Sequence, residues 1–399
     1  MLQRSLISLA ALLVAIPFIA SCATLPPNPV PFALEDQTRA LDPKIQVKRW
    51  GDQTPKDLGR LAQVRYDQYK ATRPNLVRPG GQPVFNYLAI SGGGADGAFG
   101  AGLLVGWSAS GQRPQFEIVT GVSTGALAAP FAFLGSKYDP QLREIYTTYS
   151  TRDLLRKQPI RGLLGGQSLA DSTPLANLIA RYVDQRFLNE VAKQYRRGRR
   201  LLIGTTNIDA QRPVIWDMGA IAASGRPGSL ELFRRVLLAS ASIPGAFPPV
   251  VMDVASPDGF FQERHVDGGT TKQVFLLPSQ LMLKTVVDDR FGFSPQRQLY
   301  IIRNGRVAPE YKVVKSSTLA IAQRSISTLI KYQGIGDLYE LHELAARNGI
   351  DYRLAYIPRD FEDTSTEVFD PVYMQALFKL GYAQGKAGYP WEREPPGLD

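Results

Sequence analysis

Short apolar runs alternate with amphipathic or small-residue stretches along most of the chain after Val84. Runs of about four to eight apolar residues, bounded by glycine or polar residues, are typical of strands buried on both faces. Apolar positions at helical spacing, as at Leu175, Leu178 and Ile179, predict helices that pack one face on such a sheet. The predicted strands are 84–91, 116–120, 201–207, 213–216, 299–303 and 352–357, and the predicted helices are 97–107, 125–134, 171–193, 317–332, 336–348 and 372–384. This alternation predicts an α/β fold in which helices cover both faces of a mostly parallel sheet.

The region before this sheet has a different character. Residues 33–82 mix charged residues with proline and contain one predicted helix, 58–70. Residues 23–32 carry four prolines and predict a stiff tether. We therefore expect a tether followed by a segment that covers part of the folded body.

The first 21 residues have the pattern of an export signal. Arg4 is followed by an uncharged stretch that ends in small residues directly before Cys22, the only cysteine of the chain. This pattern resembles a bacterial lipoprotein signal, in which that cysteine is acylated after cleavage; the alternative is an ordinary secretory signal. No later run approaches the ~18–20 apolar residues needed to span a bilayer. Because the only cysteine stands where acylation needs it, we predict lipid anchoring in the bacterial cell envelope. Ala23 is not the acid associated with inner-membrane retention, which favours the periplasmic side of the outer membrane.

The composition excludes several classes of protein. The chain has 399 residues and is 44% hydrophobic, as expected of a globular protein. One cysteine excludes internal disulfides and cysteine-based metal clusters, and two histidines nearly exclude a multi-histidine metal centre. The chain carries 46 Lys and Arg against 36 Asp and Glu, a balance that suits anionic lipid or nucleic acid. Export argues against nucleic acid, and no motif implies a metal or organic cofactor.

A glycine loop follows the first predicted strand and opens the next helix. Gly92, Gly94 and Gly97 have the G-x-G-x-x-G spacing of a dinucleotide-binding loop. Such a site needs an acidic residue at the end of the second strand, where this chain has Thr120 and Gly121. Whatever the ligand, the loop offers backbone N–H groups at a helix N-terminus to a negative charge.

A second strand–helix junction contains the sequence Gly121-Val122-Ser123-Thr124-Gly125. In that context a G-x-S-x-G pattern predicts a nucleophile elbow, a sharp turn that exposes the serine hydroxyl. The alternative is that Ser123 caps the helix and the glycines allow close packing. The glycine loop one βα unit earlier favours a nucleophile.

A nucleophilic serine needs a base, and three side chains are candidates. His265 and Asp267 are two residues apart at the end of a predicted short strand, so we expect them to share a strand face. His342 lies in a predicted amphipathic helix, where a surface position is favoured. The residues alone leave open a Ser–Asp pair and a Ser–His–Asp triad.

Three segments, taken in order, resemble the patatin-like phospholipase family. They are Gly92-Gly93-Gly94, the pentapeptide around Ser123, and Asp267-Gly268-Gly269. The segment 239–250 resembles the one before the family's catalytic aspartate, and the likeness covers about residues 84–285. The resemblance implies a patatin-like α/β fold, distinct from the α/β-hydrolase sheet, and lipid acyl hydrolysis by a Ser–Asp dyad.

Carried over residue by residue, the resemblance makes Ser123 the nucleophile and Asp267 the proton acceptor. The backbone of Gly92, Gly93 and Gly94 becomes the oxyanion hole. The remaining motif glycines are Gly97, Gly121, Gly125, Gly268 and Gly269. One position departs from the family, because Asp96 stands where Arg or Lys is common. The loop therefore lacks a cation that would pair with an anionic phosphate.

These observations together predict a lipid-anchored hydrolase of phospholipid, lysophospholipid or another fatty acyl ester. The expected organisation is a signal peptide at 1–21, a tether and covering segment at 22–83, a catalytic domain at 84–305 and a mainly helical extension at 306–399. One alternative is an α/β-hydrolase-type esterase with the order Ser123, Asp267, His342. Another is a non-catalytic envelope lipoprotein that binds lipid or acts as a scaffold.

Overall fold

The computed structural model describes residues 28–77, 83–157, 168, 170–278, 282–283, 287–289, 292, 294–362, 365 and 367–397. The predicted signal peptide, Cys22 and the first part of the tether lie outside the described residues. Within these ranges, no helix has both the length and the apolar character needed to cross a membrane.

A nine-stranded mixed sheet forms the centre of the fold, and a two-stranded ribbon lies apart from it. The strands are β1 (Lys48–Trp50), β2 (Val84–Ile90), β3 (Phe116–Val122), β4 (Arg156–Lys157), β5 (Ala170–Asp171), β6 (Arg200–Asn207), β7 (Arg212–Asp217), β8 (Val250–Ser256), β9 (Gly259–Asp267), β10 (Gln296–Arg303) and β11 (Ile350–Tyr356). The order β1-β7-β6-β3-β2-β10-β11 contains a parallel core from β6 to β11. β7, β1 and the β8–β9 hairpin are antiparallel. The predicted mostly parallel sheet is thereby confirmed.

Helices surround this sheet and occur from residue 58 to residue 387. They are α1 (Leu58–Thr72), α2 (Gly97–Ala109), α3 (Thr124–Leu134), α4 (Asp139–Thr148), α5 (Thr151–Leu154), α6 (Thr173–Tyr182), α7 (Gln185–Arg196), α8 (Met218–Ala223), α9 (Ser229–Ser240), α10 (Thr318–Asn348) and α11 (Pro371–Ala387). Nearly all residues of α2 and α3 are buried, since their many Ala and Gly residues allow close approach to the sheet and to neighbouring helices.

Two predicted helix boundaries were wrong. The single helix expected over 171–193 is two helices, because Asp184 leaves the helical conformation and its carboxylate accepts the Phe187 N–H at 2.8 Å. That carboxylate caps a new helix, which competes with continuation of the first. Conversely, the helices expected at 317–332 and 336–348 are one, α10. Gly334 serves close packing there, since a Cβ would lie 2.7 Å from the Arg303 guanidinium.

The residues after 306 share the layers of the central fold. β11 pairs in parallel with β10 along seven residues, and α11 packs against α2. Glycines on both helices make this contact possible, because a Cβ at Gly102 or Gly106 would overlap backbone carbonyls of α11. Gly381 and Gly385 face the backbone of α2 in the same way. The sheet and α11 therefore support the loops that follow β2 and β10.

Candidate active site

The candidate site lies where the ends of several strands meet at one edge of the sheet. The glycine loop follows β2, Ser123 follows β3, and Asn304 follows β10. These strands are parallel neighbours, so their carboxyl ends are adjacent. β9 runs antiparallel to β6 and places its last residue, Asp267, opposite Thr205. Segments distant in sequence are thus brought to one edge.

Ser123 has the strained backbone expected of a nucleophile elbow. Its φ is 56° and its ψ is −126°, an uncommon conformation for a residue with a side chain. The Ser123 N–H donates to the Ser240 hydroxyl at 3.0 Å, and that hydroxyl donates to the Gly204 carbonyl at 2.6 Å. The Ser123 side chain makes no capping hydrogen bond to α3. Ser123 therefore does not cap α3 through its side chain, and its hydroxyl remains available to react.

The glycines on either side of Ser123 have no room for a side chain. A Cβ at Gly121 would overlap the Gly125 carbonyl, and one at Gly125 would overlap the Ile90 carbonyl. The turn is therefore compressed against the end of β2. This packing maintains the strained Ser123 backbone.

Asp267 is a buried carboxylate with one unengaged oxygen. Its Oδ1 accepts the Gly269 N–H at 2.7 Å, whereas its Oδ2 is buried and accepts no hydrogen bond of normal geometry. Burial raises the pKa of Asp267 to about 7, although the Ser123 hydroxyl and the Gly269 amide both favour the charged form. A base whose pKa is near the working pH is well suited to accept a proton from a hydroxyl.

The glycine loop lies directly beside the serine, and its amides differ in availability. A Cβ at Gly92 would be 3.1 Å from the Ser123 Cβ. The Gly92 N–H donates to the Gln273 carbonyl at 3.0 Å, so this proton is already engaged. Within the described chain, the Gly93 and Gly94 amides donate to no protein group. Of the three amides predicted for the oxyanion hole, these two are the free donors.

Asn304, which the sequence analysis did not single out, holds this loop in place. Its backbone N–H donates to the Ser91 hydroxyl at 2.8 Å, and its side-chain amide donates to the Ser91 carbonyl at 2.9 Å. Its Oδ1 accepts the Gly100 N–H at 3.1 Å, which ties the loop to α2. The only sequence signal for Asn304 is its position directly after a predicted parallel strand.

Neither histidine is placed to act on Ser123. His265 is fully buried, and its ring nitrogens contact the Thr205 hydroxyl at 2.9 Å and the Glu263 carboxylate at 3.0 Å. Burial lowers the pKa of His265, against the opposing effect of Glu263. His342 packs edge-on against Tyr352, with ring centroids 5.2 Å apart, and does not line the cavity around Ser123.

A cavity of about 1090 Å³ opens over Ser123. This volume is at the upper end of the ~300–1,000 Å³ common for small-molecule sites. Gly93, Gly94, Ser123 and Asp267 all line it. Ile243 and the residues of α10 from 326 to 333 contribute to its wall. Among the described residues, no cluster of three His, Cys, Asp or Glu is arranged to hold a metal ion.

Two arginines from beyond the predicted motifs also line this cavity, beside Asp96. Arg303 is buried, with its Nε lacking a hydrogen-bond partner, and Arg306 pairs with Glu310 at 3.1 Å. Burial raises the pKa of Asp96 to about 6, and its carboxylate accepts a hydrogen bond from the Tyr373 hydroxyl at 2.6 Å. The glycine loop itself has no cation, but Arg303 at the end of β10 and Arg306 just after it bring positive charge to the same cavity.

Ser123, Asp267 and the glycine loop fall within a region that matches a known family. A family model described as patatin-like phospholipase matches residues 88–278. No curated protein matches the sequence. Among solved structures, the chain is similar to VipD from Legionella pneumophila, with 12% identity, a TM-score of 0.33, and coverage of 78% of this chain and 68% of that one. It is also similar to the type III effector protein ExoU, with 13% identity, a TM-score of 0.29, and coverage of 77% and 53%.

Proposed function

Residues 88–278 belong to the patatin-like phospholipase family, which implies lipid acyl hydrolase activity, and we propose that Ser123 and Asp267 perform this reaction as a dyad. One observation carries the proposal: a serine in a strained turn lies beside a buried carboxylate whose Oδ2 has no other partner. Both side chains open into the large cavity.

In the proposed reaction, Asp267 accepts the Ser123 proton as the serine oxygen attacks the ester carbonyl carbon. The carbonyl oxygen becomes an oxyanion and accepts hydrogen bonds from the Gly93 and Gly94 amides. As the carbon–oxygen bond of the ester breaks, the departing alcohol takes the proton from Asp267. Water then attacks the acyl-serine carbonyl while Asp267 accepts a proton from it; as the bond to Ser123 breaks, Asp267 returns this proton to the serine oxygen and the fatty acid is released.

The cavity supports a membrane lipid or another fatty acyl ester as substrate. Its wall combines apolar side chains such as Ile243 with the cations Arg303 and Arg306. Apolar surface suits an acyl chain, and a guanidinium suits a phosphate. We propose phospholipid, lysophospholipid or a related ester.

A fluorophosphonate probe tests the nucleophile directly. The parent protein should be labelled on Ser123, and Ser123→Ala should not be labelled while its thermal melt remains cooperative. Ser327→Ala is a matched control, because Ser327 also lines the cavity but lies on α10. Labelling that persists in Ser123→Ala would exclude this nucleophile. An unlabelled parent that also lacks turnover would support the non-catalytic lipoprotein.

Activity should rise with pH as Asp267 ionises. Because burial raises the pKa of Asp267 to about 7, kcat/KM on a neutral ester should fall about tenfold per pH unit below that value. Above it, the rate should level off. Asp96→Asn provides a control, since Asp96 also titrates in the cavity, with a pKa raised to about 6. If the fall in activity at low pH disappears in Asp96→Asn, the titrating group is Asp96 and the assignment to Asp267 is wrong.

We also propose that the protein is anchored in the cell envelope through an acylated Cys22, for which the spacing of the N-terminal signal is the support. The parent should incorporate a labelled fatty acid, and Cys22→Ala should incorporate none. Incorporation that persists at the parent level in Cys22→Ala would place the acyl group on another residue and reject the Cys22 anchor.

A further inference from the structure

Helix α10 and the residues just before it expose an unusual amount of apolar surface. Eight of the fifteen exposed large hydrophobic residues in the described chain lie between 311 and 332. They are Tyr311, Val313, Leu319, Ile321, Ile326, Leu329, Ile330 and Tyr332, with exposed fractions from 40% to 95%. We call this part of the chain the apolar segment. Exposed apolar groups concentrated in this way mark an interaction surface.

Most of the apolar segment belongs to the N-terminal half of α10, and the C-terminal half of that helix is fixed in the core. Leu338, Leu341 and Leu344 of α10 are buried against the sheet. The first sixteen residues of the helix, Thr318–Gln333, contain no buried side chain. Within the described residues, packing therefore buries side chains of the second half of α10, whereas the apolar side chains of the first half stay exposed.

The same part of the chain is strongly basic. Residues 304–333 contain five cations, Arg306, Lys312, Lys315, Arg324 and Lys331, and one acid, Glu310. Lys312 and Lys315 are exposed beside Tyr311 and Val313. Apolar side chains interleaved with Lys and Arg are the pattern of a helix that lies in the interface of an anionic bilayer.

The apolar segment is also continuous with the cavity over Ser123. Ile326, Leu329, Ile330 and Tyr332 are exposed to solvent and also line that cavity. A surface that contacts the apolar segment therefore lies at the mouth of the cavity.

We propose that the apolar segment docks on an anionic lipid bilayer, with its apolar side chains in the interface and the exposed Lys312 and Lys315 against the headgroups. Only the purpose of docking rests on the proposed function: a docked protein would present the cavity over Ser123 to ester lipids of the bilayer. A second copy of the chain is a poorer partner, since a symmetric contact would oppose ten cations to two acids.

The lone cysteine permits a position-specific test of docking. In a full chain carrying Cys22→Ser and Ser123→Ala, an environment-sensitive fluorophore is attached at Leu319→Cys or, as control, at Phe260→Cys. Phe260 is more exposed than Leu319, at 81% against 69%, but lies in the β8–β9 hairpin. Vesicles of phosphatidylcholine with phosphatidylglycerol should shift the emission of the Leu319 label to the blue and leave the Phe260 label unchanged. No shift at Leu319, or an equal shift on pure phosphatidylcholine, would overturn the proposal.

A second experiment links docking to turnover. Val313→Asp with Leu319→Asp should weaken vesicle binding about tenfold or more, because two apolar side chains leave the interface. Hydrolysis of vesicle lipid should fall in proportion, while kcat/KM on a soluble short-chain ester stays unchanged. Phe32→Asp with Phe260→Asp is the matched control, since both residues are exposed elsewhere.

The two proposals fail in different ways. Vesicle binding without hydrolysis would retain docking and reject the proposed function. Hydrolysis of the soluble ester with unchanged vesicle binding in Val313→Asp/Leu319→Asp would reject docking alone. Sedimentation that shows a dimer of the parent, dissociated by the same double variant, would assign the apolar segment to a second copy and overturn the bilayer.

Discussion

Asp267→Asn should lower kcat/KM on a neutral ester by at least about two orders of magnitude, the usual contribution of a positioned general base. The substitution keeps the shape of the side chain, and its carbonyl oxygen can still accept the Gly269 N–H. What it removes is the oxygen that would take the Ser123 proton. His342→Ala should leave activity nearly unchanged, because His342 lies against Tyr352.

Thermal melts distinguish lost chemistry from lost folding in this experiment. Burial raises the pKa of Asp267 to about 7, above the value near 3.8 of a free carboxyl. The folded state therefore binds more protons than the unfolded state between those values, so this group makes the protein less stable as pH rises through them. Asp267→Asn removes that penalty, and its melting temperature at pH 8 should equal or exceed that of the parent.

His265→Gln requires a separate measurement, since its ring contacts Thr205 and Glu263 in the core. It should lower stability and, in the fraction that remains folded, retain activity. A well-folded variant of either histidine that is as inactive as Ser123→Ala would contradict the dyad. That result would favour the triad alternative, in which the aspartate only orients the ring.

Gly93→Ala should reduce activity by about 10²–10³-fold, the usual effect of losing an oxyanion donor. A Cβ at Gly93 would overlap the Asn304 carbonyl oxygen and lie 2.8 Å from the Asn304 Cβ. Because Asn304 is itself hydrogen-bonded to Ser91 and Gly100, it has little freedom to move aside. The loop must therefore shift, and the Gly93 and Gly94 amides shift with it.

Gly336→Ala is the matched control for that substitution. Gly336 lies within α10, and a Cβ there would meet no atom within 4 Å. Alanine also favours the helix by up to about 1 kcal/mol. This variant should therefore be at least as stable and as active as the parent. Gly93→Ala with normal turnover and an unchanged melt would show that the loop adapts and would remove its amides from the mechanism.

Local sequence was sufficient wherever a few adjacent residues determine the conformation. The apolar runs predicted the parallel strands because a strand buried on both faces leaves little place for polar residues. Residues 121–125 predicted a sharp turn at Ser123, since its glycines allow an approach that a side chain would block. Where a local signal was ambiguous, prediction failed: one helix ended at Tyr182 and another began after Asp184, while Gly334 and Gly336 did not interrupt α10.

Only the tertiary structure decided which groups surround the serine. Asn304 and Arg303 are about 180 residues from Ser123 in the chain, and reach the glycine loop because β10 pairs with β2. The Gly92 amide is occupied because it donates to the Gln273 carbonyl. His265 is held away from Ser123 because its ring contacts Thr205 and Glu263. Exposure of the first half of α10 likewise has no local signature, because the same apolar residues would suit a buried helix. The sequence by itself determined the sharp turn at Ser123 and the parallel strands, whereas sheet order determined the partners, since pairing between distant strands is not encoded by neighbouring residues.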